Sequence, residues 1–140
     1  MKLKQKKKNK VYEKKNSFKL EKNDKYLACL AAYASSEKKA EDILLLDVSR
    51  LTVLGDYFLI VTAKSAPQLE AIARHVEETL LKYGFRMVSK EGAGFSNWIV
   101  LDFGNIIVHI MGEKERIYYR LEQFWSNAEI VNKKFWEKAS

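Results

Sequence analysis

The 140 residues predict an α/β (α+β) domain of about five strands flanked by helices. Three observations carry that prediction. Residues 43–48 (ILLLDV) and 57–62 (YFLIVT) are nearly continuous apolar runs of strand length, a capped amphipathic helix follows them, and two further apolar arms flank Gly104-Asn105. Continuous rather than alternating runs suit strands covered on both faces, so helices have to lie against the sheet.

Taken in chain order, Asp24 is placed to cap a helix through Tyr26, Leu27, Leu30, Ala31 and Ala34, ending near Ser35-Ser36. The two apolar strands come next. Ser65-Ala66-Pro67-Gln68 then opens a second helix: the Ser65 hydroxyl can accept from first-turn amides, Gln68 can reach back, and Pro67 has no amide to satisfy. Leu69, Ile72, Ala73, Val76, Leu80 and Tyr83 form its apolar stripe, and Gly84 is its stop. Residues 86–89 are a short strand candidate leading into Glu91-Gly92-Ala93-Gly94.

Residues 98–103 and 106–111 then pair as a hairpin. Side-chain alternation puts Ile99, Leu101, Phe103, Ile106, Val108 and Ile110 on one face, which is apolar throughout and is core. The other face holds Trp98, Val100, Asp102, Ile107, His109 and Met111, and this mixture suits a surface that something covers. Ile117, Tyr118, Leu121, Phe124, Trp125 and Ala128 recur at helical spacing. Val131, Phe135 and Trp136 mark a C-terminal amphipathic piece over 131–140.

The net charge of +7 is unevenly placed. Residues 1–25 hold eleven lysines against Glu13, Glu21 and Asp24, whereas 26–140 hold fourteen basic and fifteen acidic residues. The first segment reads as a solvated, disordered Lys-rich extension, and the folded part is near neutral, so phosphate attraction is peripheral to what the domain recognises. A single cysteine, Cys29, excludes both a disulfide framework and a Cys-built zinc site, which fits a reducing compartment. No run reaches the length of a membrane span, and the first residues lack the apolar stretch of a secretory signal. A cytoplasmic protein with no membrane association is expected.

Catalytic readings find little support. His75 and His109 are the only side chains that titrate near neutrality, and no Ser or Cys is spaced to serve either as a nucleophile. Asp102 could pair with His109, yet a hydrogen-bonded or interface histidine explains that residue more simply. Asp102-Phe103-Gly104 matches the kinase metal-binding tripeptide without the surrounding kinase motifs, and reads as a turn. Asp42, Asp47, Asp56 and Asp102 include no Asp-x-Asp pair, and no phosphate-cradling glycine loop accompanies them. No enzyme activity, metal or cofactor is expected. Acids accompany the aromatics here, as in Asp56-Tyr57-Phe58 and Asp102-Phe103; that repels a phosphate backbone and favours a basic protein as partner.

Several separated blocks, in order, resemble the Iojap-like ribosomal silencing factors (RsfS/Iojap). The first comprises Asp47-Val48-Ser49, Asp56-Tyr57-Phe58-Leu59-Ile60, Thr62, Ser65, Gln68 and Ala71-Ile72-Ala73. The second comprises Glu91-Gly92, Trp98-Ile99-Val100-Leu101-Asp102-Phe103-Gly104, Val108-His109-Ile110 and the stretch RIYYRLEQFW at 116–125. The resemblance covers residues 26–130. It implies a mixed sheet related in shape to nucleotidyltransferases but lacking their catalytic acids. It also implies a steric function: binding a universal ribosomal protein (number fourteen) on the intersubunit face of the large ribosomal subunit, blocking association with the small subunit and so repressing translation. Homodimers are implied for some members. Asp56, Tyr57, Phe58, Glu91, Gly92, Trp98, Asp102 and His109 match the family pattern and, with Met111 from the mixed face, are the expected partner-binding residues; Tyr118 and Trp125 match as well. The Lys-rich extension lies outside the resemblance, and contact with ribosomal RNA through it is the alternative mode of action.

Overall fold

The computed structural model describes residues 23–92 and 97–137. Helix α1 (Asn23–Glu37) is followed by strands β1 (Glu41–Asp47) and β2 (Tyr57–Ala63), helix α2 (Ala66–Lys82), and strands β3 (Ser89–Glu91), β4 (Trp98–Asp102) and β5 (Ile106–Gly112). Two short helices, α3 (Glu113–Tyr119) and α4 (Leu121–Phe124), strand β6 (Glu129–Ile130) and a 3₁₀ turn (Lys133–Phe135) complete the described chain. The strands form one sheet in the order β3-β4-β5-β2-β1-β6. Only the central β2–β5 pair is parallel; the other four pairs are antiparallel, so the sheet is mixed.

Local chemistry explains the helices. Ser65 caps α2 by accepting from the Gln68 amide, while Gln68 Oε1 accepts from Lys64 N and Gln68 Nε2 donates to the carbonyls of Lys38 and Lys39. One side chain therefore closes the start of α2 and also ties it to the turn after α1. His75 Nε2 lies 2.8 Å from Glu37 Oε1, a second link between the two helices and a structural place for that histidine.

Both helices cover one face of the sheet. Leu27, Leu30, Leu69, Ile72 and Leu80 pack there against Leu45, Leu59, Val61, Ile99, Leu101, Val108 and Ile110. The hairpin pairs as its alternation requires, with Trp98 opposite Met111, Ile99 opposite Ile110, Val100 opposite His109 and Asp102 opposite Ile107. Burying this many large apolar side chains at roughly 1.5–3 kcal/mol each makes the helix-covered face the main source of stability.

The structure corrects four expectations. Asp24 lies inside the first turn of α1 rather than capping it, and its carboxylate accepts from Asn105 Nδ2, joining α1 to the β4–β5 turn. The strand expected at 86–89 sits at Ser89–Glu91, because Phe85 and Met87 pack on the core from irregular chain while Val88 is 63% exposed. β6 adds a sixth strand that no periodicity announced. The helical stripe through Ile117 and Ala128 is broken at Arg120, whose left-handed φ of 47° separates α3 from α4. Val131 and Trp136, of the C-terminal amphipathic piece, are buried in the main core. Residues 1–22, Ala93 and Gly94 lie outside the described residues.

Candidate functional site

The second face of the sheet is where most of the expected binding residues converge. Strand pairing aligns Glu91, Val100, His109 and Ile60 in one row, and Asp102, Ile107, Phe58 and Leu46 in another. Half of this face is roofed: Leu121, Trp125 and Ala128 pack over Phe58, Ile60, Leu46, Val48 and Met111. The ring of Phe58 meets Trp125 edge-on at 5.0 Å. Arg116 fastens the roof by donating from Nη1 to Thr62 Oγ1 at 2.8 Å and from Nε to Glu122 Oε1 at 3.2 Å.

This roof decides which residues can meet a partner. Phe58 and Met111, expected as contacts, are 5% and 0% exposed, so they form the floor beneath the roof instead. Tyr57 points to the other face, toward α1: burial, assisted by Asp47, Asp24, Cys29 and Asp56, pushes its phenol up to about 12. Asp56 is half-buried, with its backbone amide bonded to the carbonyl of Asn105. The remaining matched residues, Glu91, Gly92, Trp98, Asp102 and His109, gather at the β3–β4–β5 end of the sheet.

At the border of roof and open sheet stands Trp98. Its indole donates to His109 Nδ1 at 3.2 Å and leans on Tyr119 of α3 at a centroid distance of 4.8 Å; Tyr119 meets Tyr118 edge-on at 4.9 Å. Burial pushes the His109 imidazole down to about 4, so near neutrality the ring is uncharged and able to accept that bond. The uncharged ring, as acceptor of that bond, orients the indole. Asp102 does not reach it: Asp102 Oδ1 accepts from the Gly104 amide at 2.7 Å, holding the hairpin turn. Gly92 has a backbone role, since its φ of 88° is left-handed and a Cβ there would collide with the Trp98 carbonyl. Among the described residues, no three of His, Cys, Asp and Glu come together as a metal-holding group.

The break at Arg120 turns Ile117, Tyr118, Tyr119 and Phe124 outward, with Tyr118 79% exposed. Sequence reading matched Tyr118 but missed the other three as surface residues. Ile117 and Phe124 were read only as recurring at helical spacing with Leu121, Trp125 and Ala128, and Tyr119 was not singled out; the left-handed Arg120 between the two helices breaks that spacing. Acidic Glu113 and Glu115 occupy the first turn of α3, with Glu115 close to Asn97. The result is an aromatic strip running from Trp98 over Tyr119 to Tyr118, with the acidic first turn of α3 on the same helix.

A mixed six-stranded sheet flanked by helices, with this aromatic surface on one face, defines the class: an α+β protein. Comparison with known proteins supplies the family. Residues 21–140 match the family described as ribosomal silencing factor during starvation, and the chain belongs to it. It is 36% identical over 113 residues to Ribosomal silencing factor RsfS of Bacillus subtilis, spanning 81% of this chain and 96% of that protein. It is also 37% identical over 107 residues to the chloroplastic protein Iojap of Zea mays, spanning 74% of this chain and 45% of that one. A crystal structure of a Chromobacterium violaceum protein superposes with a TM-score of 0.70 at 34% identity, covering 71% of this chain and 83% of the other. One from Bacillus halodurans gives 0.65 at 32% identity, covering 74% and 93%.

Proposed function

We propose that this chain acts in the cytosol by binding the large ribosomal subunit through the universal ribosomal protein number fourteen of the intersubunit face, and that it represses translation sterically by keeping the small subunit from joining. The observation that carries the reading is the aromatic strip from Trp98 to Tyr118, on a helix whose first turn is acidic. Ribosomal proteins are basic because they contact RNA, and a basic protein laid on this surface buries Trp98 and Tyr118 as apolar anchors while Glu91, Glu113 and Glu115 fix its register. Relatives named ribosomal silencing factors support the same direction. No chemical step is required, since occupying the surface is sufficient.

Sucrose-gradient sedimentation tests it. Added to purified large and small subunits, the full chain should sediment with the large subunit and reduce the fraction of joined ribosomes. An unchanged joined fraction at saturating protein overturns the reading.

A further inference from the structure

The helix that carries Tyr118 and Tyr119 has little of its own to hold it. α3 is seven residues long, its start has no side-chain cap, and none of its residues is buried. Two turns of helix with no buried side are unstable on their own in water, so something outside the helix has to fix it. That role falls to Arg116, whose side chain is 11% exposed. Its Nη1 donates to Oγ1 of Thr62 on β2, a residue only 3% exposed, and its Nε donates to Glu122 on α4. One guanidinium therefore joins α3 both to the sheet and to the segment whose Leu121 and Trp125 are packed on that sheet. Tyr119 also leans on Trp98, but that contact belongs to the strip being positioned. Near the guanidinium a groove of about 450 Å³ opens, lined by Asp42, Arg116, Ile117, Arg120, Glu122 and Gln123. It gives α3 room to shift once the tie is lost.

We infer that Arg116 is a positioning residue for docking: it sets the angle at which α3 presents Tyr118 to a partner, and does not touch the partner itself. The inference rests on the docking reading of the aromatic strip. Two residues advance a helix by roughly 200°, so a side chain at 116 that points to the sheet places the one at 118 outward. The tie also requires arginine. Nη1 and Nε are separate donors in one rigid plane and reach acceptors on two elements at once, whereas a lysine ammonium is a single point charge on a flexible stem. No α3 residue belongs to either apolar cluster, so releasing the helix leaves the core intact.

Amide hydrogen exchange of the free full chain and its co-sedimentation with large ribosomal subunits test the inference together. Arg116→Lys, and Thr62→Val, which keeps the branched shape without the acceptor, should speed exchange at residues 117–120 roughly tenfold or more, the lower end for a hydrogen bond to a charged group, with α2 unchanged. Both variants should bind large subunits more weakly by a similar factor, and Thr62→Ser, which keeps the hydroxyl, should bind as the native chain does. In a Tyr118→Ala background, Arg116→Lys should cost less than about twofold further, because it acts through that ring; a residue that merely supports the fold costs the same in both backgrounds. Unchanged exchange in both Arg116→Lys and Thr62→Val overturns the tie, even if the chain binds subunits. Faster exchange with unchanged affinity, or equal losses in the two backgrounds, overturns the positioning role. A native chain that does not sediment with large subunits overturns the docking reading and the positioning role with it, while the exchange result still decides whether Arg116 holds α3.

Discussion

The two faces of the sheet share the same strands but not the same cover. Toward α1 and α2, alternate residues of β1, β2, β4 and β5 are apolar and fully enclosed by helices of 15 and 17 residues. Toward α3 and α4, the intervening residues include Trp98, Asp102 and His109, and the helices on that side are 7 and 4 residues long and interrupted at Arg120. Long helices can hide a whole face, whereas a short broken pair hides half of one and leaves its own outer side apolar. The first arrangement makes a core. The second makes a surface with a firm floor, in which Phe58 and Met111 hold the aromatic strip in place without being part of it.

That contrast can be broken most severely from the helix-covered side. Ile110→Ala removes a fully buried side chain from the main core and should lower the unfolding free energy by about 3–4 kcal/mol in urea denaturation, in the range of buried Ile truncations. A drop below about 1 kcal/mol would show that this face tolerates a cavity and is less tightly packed than the other.

A smaller effect comes from His109, at the boundary between floor and surface. Its imidazole titrates near the ordinary 6.5 when the chain is unfolded and at about 4 when folded, so between those values the unfolded state binds more protons. The stability this site contributes is complete above pH 6.5 and is lost as the pH falls toward 4. At pH 5 the loss should reach about 2 kcal/mol, on the scale of 1.36 kcal/mol per pKa unit. The fall in unfolding free energy from pH 7.5 to pH 5, measured by urea denaturation, should be larger by about that amount in the native chain than in His109→Gln. Parallel pH dependence in both would place the titration elsewhere.

The smallest change in stability belongs to the open side, where the change in binding should be large. Tyr118→Ala should leave the unfolding free energy within about 0.5 kcal/mol, as exposed substitutions do. Its co-sedimentation with large subunits should weaken tenfold or more, as for an interface anchor. If affinity is retained while Trp98→Ala abolishes it, the partner sits on the sheet and not on α3.

How much of this was legible in the residues varies by element. The Ser65 cap, the stripe of α2 and the two-faced hairpin follow from local rules: a hydroxyl that accepts from a first-turn amide, a 3.6-residue period and a two-residue alternation. The separation of Ile99, Leu101, Val108 and Ile110 from Trp98, Asp102 and His109 was readable for the same reason. Phe58 and Met111 were misplaced as surface residues because alternation assigns a residue to a face without saying what covers that face. Ile117 and Phe124 were put on one helical stripe with Trp125 because periodicity cannot register a single left-handed residue such as Arg120, which takes that conformation without being a glycine, and Tyr119 lay outside that stripe.

By itself the sequence determined which side chains share a face, where α2 begins, how charge divides between extension and domain, and the order of family blocks. These depend on spacings along the chain, and spacing is local. Only the tertiary structure decided that half of the mixed face is roofed, that the roof turns its aromatics outward, and that Lys25 and Phe135 meet across more than a hundred residues. Those outcomes depend on which distant elements pack together, and packing is settled by the burial of the whole chain at once.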